Sequence, residues 1–208
     1  MVQTIFAKDT SLYDLEEQFG LQLTDEQFFT ESSRDLATVS APEKQSLERV
    51  RSNYLNLNKR RPMSEEAVKM VVLSPLLDLA GFYQPPFEIE TETPIKISAE
   101  DDGAIVKGNI DVLIVQRQFW ILVIESKNTK FDVMTALPQA LAYMLDDPKR
   151  DQPTFGLLVN GREFVFVKLT KEGTSEYSLS RAFSILKPEN DMYNVLHILK
   201  HIGELISR

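Results

Sequence analysis

Cysteine is absent from this chain of 208 residues, and histidine occurs only twice. Without cysteine there are no disulfide bonds and no thiolate metal sites, and a reducing compartment is favoured. No apolar run is long enough to span a bilayer, and residues 1–8 lack the basic and apolar pattern of a signal peptide. We therefore expect a cytoplasmic protein that does not enter the membrane.

The composition is that of a soluble globular protein, with 43% apolar and 26% charged residues, and the length suits one domain with an appendage. The net charge of −8 argues against a simple nucleic-acid binder, because phosphate contacts require lysine and arginine. Residues 1–58 carry 5 basic and 10 acidic residues, and residues 59–208 carry the other 18 and 21. The front segment therefore holds most of the acidic excess.

Residues 1–62 are predicted to form a helical N-terminal extension. Ser11 is suited to cap a short helix that ends at Gly20, and residues 40–43 have the Ser-x-x-Glu spacing of a capping box. The basic segment 59–62, Lys-Arg-Arg-Pro, is predicted to end the helix that this box opens. The sequence assigns no chemistry to the extension.

The predicted main domain, residues 63–208, opens with a helix from Ser64 to Gly81 whose apolar residues recur at helical spacing. Pro75 lies inside this pattern and should bend the helix or end its first part. An alternating strand over 87–97 follows, and its three glutamates are best explained as a solvated strand face.

Two further strands are predicted over 110–115 and 119–124, with turns at Asp101-Asp102-Gly103 before them and at Gln116-Arg117 between them. The second strand is almost wholly apolar, as a central strand covered on both faces should be. A helix over 135–145 then follows.

The remaining segments are predicted to complete the sheet. Strands over 155–159 and 164–169 flank Asn160-Gly161, a dipeptide typical of a type I′ hairpin turn. An edge strand over 179–185 precedes a last helix from about Asp191. This helix should bury Val195, Leu196, Leu199, Ile202 and Leu205. The central order of helix, three strands, helix and strand indicates an α/β core with a mixed sheet.

Two acidic residues and a lysine on the predicted hairpin form a candidate site for metal-dependent hydrolysis. Asp111 and Glu125 lie on strands joined by a tight turn, so they can sit side by side across the ladder. Glu125 and Lys127 are two residues apart and share a face if the strand stays extended. Carboxylates are ligands that Mg²⁺ prefers, and a neighbouring ammonium can orient a water or offset the charge of a phosphodiester.

Taken alone, this triplet is more easily explained as a solvated hairpin with a surface ion pair. Gln139 and Tyr143 strengthen the metal-site interpretation, because they share one face of the following helix and can contact the lysine or a phosphate. Glu65 or Glu66 adds a third acid at the start of the first core helix, although acidic residues are favourable there in any case.

Five stretches in this order resemble the PD-(D/E)XK nuclease superfamily, in particular the N-terminal nuclease domain of type I restriction enzyme R subunits and small stand-alone relatives of it. The resemblance covers about residues 63–168, and its Gln-x-x-x-Tyr helix is typical of the subgroup with these R subunits. Ile110 departs from it, since the family motif has proline there. The stretches lie at 64–66 with 75–82, at 108–111, at 123–127, at 138–143 and at 160–162.

The resemblance implies a restriction-endonuclease-like fold, in which helices flank a mixed central sheet, and it implies a divalent metal site. In this site Asp111 and Glu125 would bind Mg²⁺, or Mn²⁺ in its place. Glu65 and the backbone carbonyl of Ser126 would complete the shell, and Glu66 is the alternative to Glu65.

The resemblance further implies that Lys127 is the catalytic lysine and that Gln139 and Tyr143 support the site. The expected function is that of a metal-dependent DNA endonuclease, a deoxyribonuclease that hydrolyses phosphodiester bonds. The sequence contains no Gly-x-x-x-x-Gly-Lys-Ser/Thr phosphate loop, so the helicase motor of a full R subunit is not expected in it.

The alternative function is a non-catalytic DNA- or protein-binding accessory module on the same fold, which the acidic balance and the missing motor favour. A weaker alternative is a structural dimer formed through residues 1–62. The expected partners are DNA and either a second copy of the chain or a restriction-modification subunit.

Other candidate residues have simpler explanations. His197 and His201 are four residues apart but lack the His-Glu-x-x-His pattern, so a structural or surface role is expected. Lys59-Arg60-Arg61 could contact phosphate, but a short solvated linker is the preferred interpretation. Composition alone does not establish the local basic face that four nearby cations would allow, namely Lys107, Arg117, Lys127 and Lys130.

Overall fold

The structure is a computed structural model, and it describes residues 4–24, 39–98, 105–116, 119–148, 152–187 and 191–206. The helices in these ranges are α1 (Leu12–Phe19), α2 (Ala41–Asn58), α3 (Glu65–Val68), α4 (Ser74–Ala80), α5 (Leu137–Leu145) and α6 (Met192–Ile206). The strands are β1 (Thr4–Phe6), β2 (Gln22–Leu23), β3 (Glu88–Ser98), β4 (Ile105–Gln116), β5 (Phe119–Ser126), β6 (Thr154–Val159), β7 (Glu163–Thr170), β8 (Glu176–Leu179) and β9 (Phe183–Ser184). None of the helices in these ranges combines the length and apolar character that a membrane crossing requires.

The strands form one mixed sheet in the order β1-β4-β5-β6-β7-β8-β2, with β3 also pairing with β4 and β9 with β7. β5 and β6 are parallel, as are β1 with β4 and β2 with β8, and the other pairs are antiparallel. From α3 to β6 the chain runs helix, three strands, helix and strand. The predicted α/β fold with a mixed central sheet between helices is confirmed.

The sheet is covered on both faces and therefore holds two cores. One core lies against α2, α3, α4 and α6, and the other lies against α1 and α5. In β5, Leu122 and Ile124 enter the first core and Val123 enters the second, and all three are fully buried. Such side chains stabilise the fold by roughly 1.5–3 kcal/mol each on burial, so β5 anchors the sheet as a central strand.

The predicted N-terminal helices are confirmed together with their caps. Ser11 opens α1 with a capping box, and Gly20 ends it in the left-handed conformation with a φ of 63°. Ser40 and Glu43 form the predicted capping box of α2. Glu43 also pairs with Lys200, which ties α2 to the last helix.

The first core helix changes its winding just before the proline that was expected to bend it. Ser64 caps α3, and a π-helical turn, Lys69–Leu73, separates α3 from α4. Pro75 follows in the first turn of α4, where its missing N–H is tolerated. Single π-helical turns inside helices are frequent at functional sites, and this one begins at Lys69.

The predicted hairpin of β6 and β7 is present, but the predicted type I′ turn is wrong. A type I′ turn needs a positive φ at both central residues, and among the described residues of this turn only Gly161 has one, at 83°. The side-chain oxygen of Asn160 instead accepts N–H bonds from the backbones of Arg162 and Glu163. The turn is therefore stabilised by hydrogen bonds to the Asn160 side chain and does not have the type I′ backbone conformation that Asn-Gly predicts.

The predicted edge strand over 179–185 is divided into two short strands, β8 and β9. Between them the Ser180 hydroxyl, rather than a backbone carbonyl, accepts the N–H of Phe166, and this ends the ladder. The prediction that Leu205 is buried is also wrong, since it is 38% exposed. It lies near the end of α6, one turn beyond Ile202, which is fully buried.

Two short N-terminal strands join the main sheet, because β1 pairs with β4 and β2 pairs with β8. Leu15 and Leu21 are buried in the core beside α5. The domain boundary at residue 62 stays a prediction. The predicted turn at Asp101-Asp102-Gly103, and Arg117 of the second turn, lie outside the described residues.

Candidate active site

The register of β4 and β5 brings Asp111 and Glu125 together. Val112 pairs with Ile124 at the end of the ladder, and Asp111 and Glu125 are the residues that adjoin this pair on the two strands. Asp111 Oδ2 accepts one hydrogen bond from the backbone N–H of Ser126 and one from its hydroxyl, both of 2.8 Å. The Ser126 hydroxyl therefore holds the Asp111 carboxylate, a contact that the sequence did not predict.

The side-chain alternation of β4 inverts at Asp111. Ile110 packs in the core beside α5 and Val112 packs in the opposite core, although residues two apart on a regular strand share a face. On β3, Glu92 lies between Thr91 and Thr93, the partners of Val112 and Ile110, and it has a φ of 53°, a conformation that strains residues other than glycine. The irregularity keeps the Asp111 carboxylate out of both cores, with 15% of the side chain exposed.

Lys127 points into the site rather than to bulk solvent. Its Nζ donates to Glu125 Oε1 at 2.8 Å and to Gln139 Oε1 at 3.0 Å, and 18% of the side chain is exposed. Its backbone N–H donates to the carbonyl of Val159 on β6, which keeps the end of β5 in the sheet. Glu125 and Lys127 therefore form a direct ion pair at the carboxyl end of β5.

The two polar residues of α5 extend this contact. Gln139 Nε2 donates to the Tyr143 hydroxyl at 2.7 Å, so hydrogen bonds run from Glu125 through Lys127 and Gln139 to Tyr143. The backbone N–H of Asn109 also donates to that hydroxyl. Burial and then the negative charge of Glu125 raise the pKa of Tyr143 above its usual value, so the phenol stays neutral.

Gly108, three residues before Asp111, makes room for the Tyr143 ring. A Cβ atom at this position would lie 2.8 Å from the Tyr143 hydroxyl oxygen and 2.9 Å from the Cβ of Ala7. Both distances are shorter than van der Waals contact, so a larger residue would force a shift in a close-packed core. Glycine at this position therefore allows Tyr143 of α5 to pack directly against β4, the strand that carries Asp111.

Glu125 is buried, with 3% of its side chain exposed. Lys127 contacts Oε1, whereas Oε2 has no hydrogen-bond partner within the described residues. Burial, followed by the negative charge of Asp111, raises the pKa of Glu125 to about 8, against the opposing effect of Lys127. An unpaired buried carboxylate oxygen is costly, and a bound cation would satisfy it.

Asp111 is paired with Lys69, a residue that the sequence did not single out. The Lys69 Nζ lies 3.2 Å from Asp111 Oδ1, 2.9 Å from Glu66 Oε1 and 3.6 Å from Glu92 Oε1. Burial lowers the pKa of Lys69, but the bonds to Glu66 and Asp111 outweigh burial and raise the pKa above its usual value. The three-residue spacing from Glu66 is the one sequence signal for this cluster.

The acids of the site do not form a closed metal cage. Within the described residues, no group of three or more histidine, cysteine, aspartate or glutamate side chains converges closely enough to hold a metal ion. Asp111 and Glu125 still offer hard oxygen ligands, and Mg²⁺ is usually bound by one or two carboxylates together with waters. The unpaired Oε2 of Glu125 fits this chemistry.

Glu65 suits the predicted third metal position better than Glu66. Glu65 is half-buried and its charge contributes to the raised pKa of Glu125. Glu66 pairs with Lys69, and 78% of its side chain is exposed. The predicted metal contact of the Ser126 carbonyl stays a prediction, because the contacts of Ser126 described above use its N–H and hydroxyl.

The other candidates lie in ordinary surroundings. His197 and His201 stack on α6 with ring centres 6.4 Å apart, and within the described residues neither belongs to a group that could hold a metal. Glu88 and Glu90 are exposed, as a solvated strand face requires. The segment Lys59-Arg60-Arg61 is exposed as well.

The family described as Type I restriction enzyme R protein N terminus (HSDR_N) matches residues 11–175. No curated protein matches the chain. A solved fragment from Vibrio vulnificus YJ016, assigned as an HsdR subunit of a type I restriction enzyme, shares 19% identity with a TM-score of 0.42, over 66% of this chain and 26% of that one. The matched part thus spans about a quarter of the solved fragment. Because the family match covers more than half of the sequence, the chain belongs to the family of type I restriction enzyme R protein N termini.

Proposed function

We propose that the chain is a DNA endonuclease domain that hydrolyses phosphodiester bonds with Mg²⁺, or with Mn²⁺ in its place. The observation that carries the proposal is the hydrogen-bonded series from Glu125 through Lys127 to the polar pair of α5, which leaves one buried oxygen of Glu125 without a partner. Membership in a restriction enzyme family supports it, because restriction enzymes cut DNA.

Asp111 and Glu125 would hold the metal ion, with Glu65 and the Ser126 carbonyl as further ligands. When bound, a divalent ion offsets charge on the phosphate and makes a coordinated water more acidic. Ser126 fixes Asp111 through two hydrogen bonds, so this carboxylate needs little reorganisation. The ionised form of Glu125, disfavoured by burial, would be favoured again beside a cation.

Lys127 would place a positive charge beside the attacked phosphate. Glu125 and Gln139 occupy two of the three N–H donors of its ammonium, which leaves one for a water or a phosphate oxygen. A preorganised donor of this kind contributes about 2.7–4 kcal/mol to transition-state stabilisation in well-studied sites. Gln139 acts through Lys127, and Tyr143 acts through Gln139, so both are positioning residues.

DNA is the proposed substrate, and a restriction-modification subunit or a second copy of the chain is the proposed partner. No phosphate loop occurs in the 208 residues, so this stretch would cut without a motor of its own. We propose that the choice of target lies outside these 208 residues.

A non-catalytic DNA- or protein-binding module is a second candidate, and one observation favours it. Both oxygens of Asp111 already have partners, Ser126 at Oδ2 and Lys69 at Oδ1. A metal ion would have to displace Lys69 to reach Oδ1. If a metal ion never replaces Lys69 at Asp111, the chain would bind DNA or a protein without cutting DNA.

Nicking of supercoiled plasmid in Mg²⁺ or Mn²⁺ tests the proposal. Asp111→Asn removes a charge at constant shape, and Lys127→Met removes the ammonium at similar length. Each should lower the rate by at least about 100-fold, as expected for loss of a charge-stabilising group. Asp78→Asn and Lys44→Met change exposed residues of the same types and should cut like the wild type.

Equal cutting by all four variants would reject the assigned site. A wild-type chain that binds DNA but cuts with neither ion would instead support the binding module. Titration calorimetry with Mn²⁺ in the absence of DNA gives an independent measurement, in which Asp111→Asn should lose most of the metal affinity and Asp78→Asn should not.

A further inference from the structure

A cleft of about 430 Å³ lies between the segment that leads into α3 and the loop that follows Lys127. We call it the basic cleft and define it by Arg61, Ser64, Asn128 and Lys130. Ser64 immediately precedes Glu65, and Asn128 immediately follows Lys127. Two residues that line the basic cleft are therefore sequence neighbours of Glu65 and Lys127 in the candidate active site.

The charge of the basic cleft is opposite to that of the whole chain. Arg61 and Lys130 line it together with neutral residues, and none of the described residues that line it is acidic. Both cations are exposed, and neither forms an ion pair within the part of the chain that the structure describes. On a chain with a net charge of −8, these two cations form a local surface of opposite charge beside the candidate active site.

The neighbouring cleft of about 400 Å³, on the other side of α3, provides the contrast. Its charged lining consists of Glu66, Glu92 and Asp111 with the single cation Lys69, a net charge of −2. The helix α3 thus separates an acidic cleft, suited to a cation, from a basic cleft, suited to an anion. A phosphodiester substrate with a metal ion needs both.

The walls of the basic cleft are fixed to each other. Thr129 Oγ1 accepts the N–H of Met63 at 2.9 Å, and the Thr129 N–H donates to the Met63 carbonyl at 3.2 Å. Below them, a Cβ on Gly161 would lie 3.1 Å from Val68 of α3, so the hairpin turn packs closely under the helix. The two backbone segments that carry Arg61 and Lys130 are therefore held together by the fold before any ligand binds.

We propose that the basic cleft binds a phosphate of the DNA backbone next to the one that is cut, and so sets the path of the strand into the site. Arg61 would bind the phosphate through its planar fork and Lys130 as a point charge. The Asn128 side-chain oxygen accepts the N–H of Lys130, which leaves its amide group free to donate to the same ligand. The exposed Lys59 and Arg60 continue the positive surface along the strand. The inference rests on the proposed function for the identity of the ligand.

Fluorescence anisotropy with a labelled DNA duplex, in EDTA and over a series of salt concentrations, tests this inference without cleavage. Each phosphate contact contributes about 0.9 to the slope of log affinity against log salt, so the double variant Arg61→Gln, Lys130→Gln should lower the slope by about 2. Both residues are exposed, and thermal melts should show unchanged stability.

Lys44→Gln is the matched control, because Lys44 is an exposed lysine near the far end of α2, roughly 20 Å from the basic cleft at 1.5 Å per residue. It should leave the slope unchanged. A double variant with the wild-type slope, or a wild-type chain that does not bind DNA at low salt, would overturn the inference.

The result is independent of the cutting assay. If the wild type never nicks plasmid but the double variant loses slope, the basic cleft stands and the nuclease proposal fails. If the wild type nicks plasmid and the double variant binds and nicks equally well, the nuclease proposal stands and the basic cleft fails.

Discussion

Two carboxylate–lysine pairs meet at the end of the β4–β5 hairpin, and they differ in how fully they are satisfied. Asp111 pairs with Lys69 and accepts hydrogen bonds at both oxygens. Glu125 pairs with Lys127 at one oxygen, while the other is buried and unpaired. The same two types of charge therefore form a closed pair on one side of the site and an incomplete pair on the other.

The surroundings of the two lysines explain this difference. Three carboxylates surround Lys69, namely those of Asp111, Glu66 and Glu92, so its charge is more than balanced. Lys127 has one carboxylate and the neutral amide of Gln139. Lys127 has a single carboxylate partner and one N–H donor left over, so it can still act on an incoming phosphate. Lys69 already lies among an excess of carboxylates. The comparison favours our proposal that Lys127 acts on the phosphate, with Lys69 as a counter-ion.

Lys127→Met and Lys69→Met test this comparison directly in the nicking assay. Lys127→Met should lower the rate by at least about 100-fold, which corresponds to about 2.7 kcal/mol of the barrier. Lys69→Met should lower it by less than about tenfold, because Lys69 contacts carboxylates and not the substrate. Equal losses in the two variants would show that the lysines do not have separate roles.

The hydrogen bonds from Gln139 and Tyr143 of α5 reach Lys127 and not Lys69. Gly108→Ala should disturb them. The added Cβ would collide with Tyr143 and Ala7, so the variant should lose about 2 kcal/mol of stability by overpacking. For a chain of this size that lowers Tm by about 4–8 °C. It should also cut more slowly, since a displaced Tyr143 no longer positions Gln139.

Gly203→Ala on α6 is the control for this substitution, because its Cβ would make ordinary contacts of 3.4 Å with Phe82 and Phe87. It should leave Tm unchanged or raise it, since alanine favours helix more than glycine does. A Gly108→Ala chain with the Tm and nicking rate of the wild type would show that the close approach to Tyr143 does not matter.

The pH dependence of stability distinguishes Glu125 from other acids. Its pKa is 4.5 when unfolded and about 8 in the folded chain, so between these values the folded state holds more protons than the unfolded state. The free energy of unfolding therefore falls as pH rises through this window, by at most about 1.4 kcal/mol per pH unit. Thermal melts in EDTA should show that Glu125→Gln removes this fall.

Asp111→Asn should weaken the same pH dependence without removing it, because the Asp111 charge is the second cause of the raised pKa of Glu125, after burial. A wild-type chain whose stability rises between about pH 5 and about pH 8 would contradict the raised pKa.

Element order and the acids of the site could be predicted because their signals are local. Ser11, Ser40 and Gly20 act on the helices beside them, and the apolar run of β5 identifies a central strand without further context. Glu125, Lys127 and the α5 pair lie within 19 positions of each other, so their meeting required only that a helix pack on the preceding strand.

The Lys69 cluster could not be predicted, because its geometry depends on three elements at once. Lys69 and Asp111 are 42 residues apart, and they meet where the π-helical turn begins and where the side-chain alternation of β4 inverts. No local pattern encodes a positive φ at a glutamate. The glutamates of β3 share one alternating pattern in the sequence, and only the folded structure singles out Glu92, by its positive φ and its ion pair with Lys69.

The smallest expected effect concerns metal affinity, in which the Asp111–Lys69 and Glu125–Lys127 pairs should also differ. Lys69 occupies Oδ1 of Asp111 and competes with a metal ion for it, whereas Lys127 leaves Oε2 of Glu125 free. Lys69→Met should therefore bind Mn²⁺ about fivefold more tightly by calorimetry without DNA, or about 1 kcal/mol. Lys127→Met should gain less, because its ammonium does not block the open oxygen. If Lys69→Met binds Mn²⁺ no more tightly than the wild type, Lys69 does not compete for Asp111, and the closed pair does not oppose metal binding.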